Sequence, residues 1–396
     1  MKNLLLFFIS LMSKKRLAKE IFFIQLLVLM SYSSIAVLTL LPLFFKRLGG
    51  SPRQIGFLIG LFSLAAFSAR PFGGWLLTKV HPGRTLLASL FIFFIATCLY
   101  FFIHSLNWLV IVIRIVHGFS FSVFILAALL IVVLMVEEKE RTYALGVVST
   151  GFMLPLLIVP YLSEIIIAKL GYFWFLLAAA FLAAITFIFA LEAKFRLPEP
   201  LAEAGLKGSG FFLLLRQKRI FLIFTLTLIF EIGLSSSLSF VPLLAHQGNG
   251  MRSGYFYTFL GLTAAIIRLY VGRWFKFWGR PQLLLPAFGC LGAGGFLIYF
   301  AFNNLGLAVS GLVWGIGVGI LYPHLSALIV GGVADGDKSK VLSLFASSVD
   351  LGFAFGPLFF GWISQALGVR LTFLPFAFLM LLIPALIIGS GRSSLF

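Results

Sequence analysis

Charge in this chain is confined to short islands, and between them run apolar stretches of about 20 residues, the length an α-helix needs to cross a bilayer core. Twelve such stretches lie at approximately 21–45, 54–78, 85–104, 107–136, 143–168, 171–191, 219–245, 254–277, 282–302, 305–333, 341–366 and 370–390. With 61% hydrophobic residues, 11% charged residues and a mean hydropathy of +1.12, a soluble chain of this length has no way to hide its apolar surface. A membrane β-barrel would show strands of about ten residues with alternating polarity. Nothing here alternates. The expected fold class is an all-α membrane protein with twelve transmembrane helices.

The chain also repeats itself. One copy runs from Pro42 through Arg70 to Gly74-Trp75-Leu76-Leu77-Thr78-Lys79 and closes with Gly83-Arg84. The other runs from Pro242 through Arg268 to Gly272-Arg273-Trp274-Phe275-Lys276 and closes with Gly279-Arg280. Proline to arginine is 28 residues in the first copy and 26 in the second, and arginine to glycine is four in both. Two similar hydrophobic halves are the signature of a secondary transporter. The one long hydrophilic stretch, 192–218, reads as a cytoplasmic linker whose end, Phe211 to Arg216, is amphipathic enough to lie on the membrane face. The expected domains are an N-terminal six-helix bundle (1–191, with a short cytoplasmic lead-in), this linker, and a C-terminal six-helix bundle (219–396). Residues 4–12 are apolar but too short to span, and no small-residue cleavage site precedes the basic cluster, so an interfacial lead-in helix is expected rather than a removed signal peptide.

A net charge of +18 raises the question of nucleic acid, but the distribution answers it. With the amino terminus in the cytoplasm, 21 of the 30 Lys and Arg lie on that side, six lie in the opposite loops, and Arg70, Arg114 and Arg268 lie within helices. This asymmetry orients a multi-pass membrane protein with both termini cytoplasmic, and the expected location is the plasma (inner) membrane. The charge is topological, and no nucleic-acid partner is expected. Cys98 and Cys290, in the third and ninth segments, are expected as buried packing residues rather than a disulfide. There is no phosphate-binding glycine loop, so nucleotide is not the energy source. The acidic cluster Glu137-Glu138-Lys139-Glu140 reads as a solvated turn, not an enzyme site. Neither a cofactor, a metal nor a catalytic residue is expected.

Six plus six helices, a mid-chain linker and a Gly-x-x-x-acid-basic-x-Gly-Arg loop after the second segment, echoed after the eighth, resemble the major facilitator superfamily, and most closely its bacterial efflux-type members. The resemblance covers essentially the whole chain and implies two pseudo-symmetric bundles around a cavity lined by helices 1, 4, 7 and 10. It also implies that Gly74, Thr78, Lys79, Gly83 and Arg84, with Gly272, Lys276, Gly279 and Arg280, form gating loops on the cytoplasmic side. The sequence departs from the pattern where the loop acid should stand, at Thr78 and Lys276, and two extra residues precede Gly83. The charge lock is therefore expected to be weaker and the cytoplasmic gate easy to open. The alternative is that the basic residues simply anchor the inner face on helix ends and lipid phosphate. Arg114-Ile115-Val116-His117-Gly118 is similar to the superfamily's buried Arg-x-x-x-Gly. Gly146, Gly151, Pro155 and Pro160 only loosely echo the glycine-proline motif of proton-driven exporters. Gly352, Gly356-Pro357 and Gly361 are spaced for close helix contact and bending.

An ionisable group at bilayer depth costs about 2.5–3.5 kcal/mol on insertion scales, so each one needs a reason. Three acids lie within segments: Glu164, Glu231 and Asp350. Glu231 sits near the midplane, with Ser235 and Ser239 on its face, and its first-half counterpart is the neutral Ser31. The resemblance turns it toward the cavity, as proton carrier or substrate contact; a structural ion pair is the competing reading. Asp350 follows Ser343 and Ser347 in the eleventh segment and is weighed against a place behind the cavity. Glu164, near an outer helix end, is expected to reach the headgroups. Further cavity candidates are Arg114 with His117, Tyr32 among the serines of the first segment, and Tyr322 with His324, although a histidine beside Pro323 can simply satisfy a freed carbonyl. The 48 Phe are expected to be mainly lipid-facing and core.

A carboxyl in a low dielectric favours its neutral form, and alternating water access lets it load and release a proton. The expected function is a proton-coupled secondary transporter exporting small amphipathic drug-like compounds or metabolites by alternating access. The alternative is a proton symporter taking up a small organic anion at Arg114 and Arg268. The expected partners are a small-molecule substrate, protons and membrane lipids, with the chain acting as a monomer.

Overall fold

The computed structural model describes residues 15–136, 138–192, 211–248, 250–278, 283–331, 333 and 337–389. The apolar stretch 4–12, most of the linker, and Gly279 and Arg280 lie outside the described residues.

Each apolar segment is a helix. The first half comprises α1 (Lys15–Val37, prolonged by a 3-10 turn Leu38–Leu40 and a short helix Leu41–Arg47), α2 (Pro52–Lys79), α3 (Pro82–Cys98), α4 (Trp108–Met135), α5 (Glu138–Leu170) and α6 (Tyr172–Leu191). The second comprises α7 (Lys218–Gln247), α8 (Ser253–Trp278), α9 (Leu284–Tyr299), α10 (Asn304–Val330), α11 (Lys338–Leu367) and α12 (Val369–Gly389). Local chemistry sets the helix starts. Ser51 and Gln54 exchange side-chain and backbone bonds in a capping box ahead of Pro52. Asn107 accepts from the amide of Leu109 (3.0 Å) and Asn303 from that of Gly306 (2.8 Å).

Proline explains the break in α1. Pro42 has no N–H to offer the Leu38 carbonyl, which takes the amide of Leu41 instead and tightens the chain into the 3-10 turn. Its repeat partner Pro242 lies inside the unbroken α7.

The first six helices pack among themselves, as do the last six. Many Phe and Leu side chains, among them Phe22, Phe173, Phe181 and Leu269, are exposed on the outside of the protein, as a lipid-facing surface requires. Both cysteines are free.

The halves meet through α2 against α11, α5 against α8, and the end of α1 against α7. Missing side chains make the α2–α11 crossing possible. A Cβ on Gly56 would run into the Pro357 carbonyl, one on Gly60 into the Ala354 carbonyl, and one on Gly361 would come within 3.0 Å of the Gly56 Cα. Gly352 and Gly356, on another side of α11, press on Glu231 and Ile232 of α7. Small residues thus serve two faces of α11, one toward each half. Twelve passes bring the chain back to the side it started on. Because Pro52, Gly56, Gly60 and Gly361 lie toward the other side, the halves are closed together there.

Candidate functional site

Between the halves lies a cavity of about 300 Å³. Its wall comes from α1 (Tyr32, Ile35, Ala36, Leu38, Thr39), α2 (Ile59, Phe62, Ser63, Ala66, Arg70), α4 (Arg114, Phe121, Ser122, Ile125, Leu126, Leu129), Leu156 of α5, α7 (Ser235, Leu238, Ser239) and α11 (Val349, Asp350, Phe353, Pro357). It is mostly apolar and aromatic, with few polar groups.

The strongest polar feature joins the halves. Arg70 Nε donates to Asp350 Oδ2 in an ion pair between α2 and α11. The side chains keep 33% and 17% of their exposure, so solvent reaches the pair. Tyr32 stands on the same wall, its ring edge-on to Phe121 (5.1 Å) and tilted against Phe152 (4.7 Å).

Arg114 also lines the cavity, held by neutral groups: the carbonyls of Leu58 (2.8 Å) and Ile59 (2.9 Å) and the Tyr100 hydroxyl (3.3 Å). Ser235 lines it as well, but its hydroxyl donates to the Gly352 carbonyl (2.9 Å) and Ser239 donates to the Ser235 carbonyl (2.7 Å). The serine stripe of α7 therefore spends its hydroxyl protons on carbonyls, Ser235 on the contact with α11 and Ser239 back along its own helix.

Four expected cavity residues stand elsewhere. Glu231 is buried at the α7–α11 contact, its Cβ side taken by Gly352, and is absent from the cavity lining; its Oε2 has no hydrogen-bond partner among the described residues. Depth was legible in the sequence, but the helix is rotated so that the acid meets the α11 glycine face. His117 is fully buried behind Arg114, between Thr97 (3.3 Å) and the Tyr100 hydroxyl (3.4 Å) and among the rings of Phe62 and Phe93. His324 is buried, and neither it nor Tyr322 contributes to the lining; Tyr322 packs edge-on to Phe345 at 5.3 Å, with the Arg268 guanidinium 5.2 Å from its ring. The helices that line the cavity include α2 and α11, and no α10 residue lines it.

Glu164 does not point to the headgroups. Its carboxylate accepts the amides of Ser253 (3.0 Å) and Gly254 (2.7 Å), the first residues of α8 in the other half. A carboxylate at a helix N-terminus satisfies orphan amides and meets the positive end of the helix dipole. Sequence reasoning missed this contact and the Arg70–Asp350 pair. The available signal was that a mid-helix arginine and a mid-helix aspartate in different halves each needed a counter-charge.

Of the expected gating residues, Gly74, Thr78 and Lys79 end α2, with the Thr78 hydroxyl bonded back to the Trp75 carbonyl (2.8 Å). The Gly83 amide donates to His81 Nδ1 (3.1 Å), capping α3, and the Arg84 amide donates to the His81 carbonyl (2.9 Å). Gly272 and Lys276 lie on α8, whose side chains there are not described, and Gly279 and Arg280 lie outside the described residues.

The Major Facilitator Superfamily pattern matches residues 21–333 and 278–390. The chain is 23% identical over 372 residues to the staphylopine export protein of Staphylococcus aureus (strain Mu50 / ATCC 700699), covering 91% of this chain and 93% of the relative. Among solved structures, the nucleoside transporter NupG is similar at a TM-score of 0.77 and 14% identity, over 94% of this chain and 99% of that one. The bacterial homologue of the human lysosomal transporter Spinster, in its inward-facing and occupied conformation, is similar at a TM-score of 0.79 and 13% identity, over 95% and 97%. At these identities the structural likenesses show the fold alone.

Proposed function

Because this chain belongs to the major facilitator superfamily and is a membrane transporter of a small molecule rather than an enzyme, we propose that it is a proton-coupled exporter of amphipathic compounds working by alternating access. The observation that carries the reading is the Arg70–Asp350 pair. It ties the halves together inside the cavity, at a place water reaches, through a group that titrates. Ionised Asp350 holds Arg70 by a charge-assisted bond. Protonated Asp350 lacks that charge, which frees the α2–α11 contact to reorganise. The apolar wall suits an amphipathic substrate, and the relative named as an export protein favours outward transport. Purified protein in liposomes tests the proposal: an imposed pH gradient should drive accumulation of a compound first identified by thermal shift, and accumulation independent of the gradient defeats proton coupling.

Under the positive-inside orientation, with both termini cytoplasmic in the inner membrane, the closed side is the outer one. The weak charge lock at Thr78 and Lys276 is consistent with closure there rather than at the loop side. The two-arginine uptake site loses support, because Arg268 is absent from the lining that contains Arg114. The six-helix division at 192–218, monomeric action and lipid contact on the aromatic outer surface complete the proposal.

Glu164 serves as the outer latch in this scheme. A hydrogen bond to a charged group is worth about 1.5–3 kcal/mol, so Glu164→Ala is expected to shift the closed-to-open ratio about tenfold or more toward the outward-open state. In a Cys98→Ser/Cys290→Ser background, a cysteine at Tyr255, whose ring is 5.7 Å from that of Tyr161 across the same contact, should then label several-fold faster with an impermeant reagent. Unchanged labelling removes the latch.

Glu231→Gln separates the two acids. Buried outside the cavity wall, Glu231 is expected to leave substrate counterflow intact when neutralised, since an amide is cheaper to bury than a charge. Loss of counterflow in a folded Gln variant places Glu231 in substrate binding instead.

A further inference from the structure

The α4 arginine leaves a positive charge in the cavity wall that no acid among the described residues answers. Gly118 brings α4 directly against α2, since a Cβ there would strike the Phe62 carbonyl. Arg114, one turn earlier, thereby reaches the Leu58 and Ile59 carbonyls, its third donor goes to Tyr100, and its guanidinium carbon lies 4.8 Å from the Phe62 ring centroid. A guanidinium carries five N–H groups, so three bonds leave two undirected. Every recorded partner is neutral. Asp350 in the same cavity is engaged by Arg70, Glu164 is taken up at the start of α8, and Glu231 lies outside the wall. In a site this apolar, an unanswered cation attracts an anion far more strongly than it does in water.

We propose that Arg114 is the head-group subsite of the cavity and that the transported compounds are amphipathic organic anions, carboxylates above all. Their apolar bodies lie against Phe121, Ile125, Leu126 and Leu129 of the same helix. The inference rests on the cavity being the substrate site. It adds a charge requirement that the apolar wall does not by itself impose, and it differs from the two-arginine uptake site in using one guanidinium held by backbone carbonyls.

The test uses three probes with one apolar body, 4-phenylbutyrate, 4-phenylbutanol and 4-phenylbutylamine, titrated onto the purified full-length protein with tryptophan fluorescence as readout. The wild type is expected to bind the carboxylate about tenfold or more tighter than the alcohol, with the amine weakest. Arg114→Gln is expected to bring the carboxylate to the level of the alcohol and leave the alcohol unchanged, a selectivity change that a purely structural arginine does not produce. Arg114→Lys retains the charge and is expected to retain the preference, so it decides the matter if the glutamine variant fails to fold. Equal affinity for all three probes in the wild type, or a uniform loss for all three in either folded variant, overturns the subsite and leaves the cavity standing. Binding of none of the probes overturns the amphipathic-substrate reading, and the subsite with it.

Discussion

Replacing Asp350 by Asn should abolish pH-gradient-driven accumulation while leaving a folded, membrane-inserted protein. Asparagine keeps the shape of the side chain and can still accept from Arg70, but it neither titrates nor carries charge. Removing one partner of a fully buried ion pair costs about 3–5 kcal/mol. Here the Arg70 side chain retains 33% of its exposure, so water offsets part of that cost and the fold survives. Counterflow exchange, which needs no net proton movement, should persist. The measurement is accumulation in liposomes with and without a pH gradient, compared with counterflow in the same preparation. Gradient-driven accumulation at the wild-type level would remove Asp350 from proton coupling.

A single methyl at Gly60 should prevent the outer side from closing. In the closed structure that methyl meets the Ala354 carbonyl, a backbone atom of α11 that cannot swing aside as a flexible side chain could. Overpacking of this kind costs about 1–3 kcal/mol, which moves a two-state ratio roughly five- to 150-fold. Gly60→Ala is therefore expected to accumulate the outward-open state and slow transport about tenfold. Gly289→Ala, where an added Cβ meets nothing within 4 Å, is the matched control and should be silent. Transport at the wild-type rate in Gly60→Ala would mean that the α2–α11 crossing is not remade in each cycle.

The twelve helices were legible because the bilayer acts as a ruler: hydrocarbon thickness sets the run length, and charges mark the ends. Rotation about a helix axis was far less legible. Along α7 Ser235 and Ser239 mark a polar face, but their hydroxyls are spent on backbone carbonyls, so sequence reasoning finds the depth of Glu231 without fixing which neighbour it meets. His117 shows the same limit: α4 offers Arg114 to the cavity and turns the histidine toward Thr97 and Tyr100. Asp350 runs the other way. It gains its place because glycines let α11 sit between α7 and α2, a spatial arrangement that no spacing within one helix records. Glu164 is misjudged from sequence because its partners are backbone amides more than 80 residues away, which carry no side-chain signature.

The break in α1 has a bearing on how a cargo is felt by the protein. Leu38 and Thr39, in the 3-10 turn created by Pro42, form part of the cavity wall. A molecule in the cavity therefore leans on a stretch of helix whose ladder is already interrupted, where a given push produces more bend than it would against an intact turn. Pro242 likewise has no N–H for the carbonyl of Leu238, another residue of the wall, and that carbonyl takes the Tyr257 hydroxyl instead. The weak points of the two halves thus face the same cavity: one is drawn into a 3-10 turn, and the other is propped by a tyrosine from the next helix.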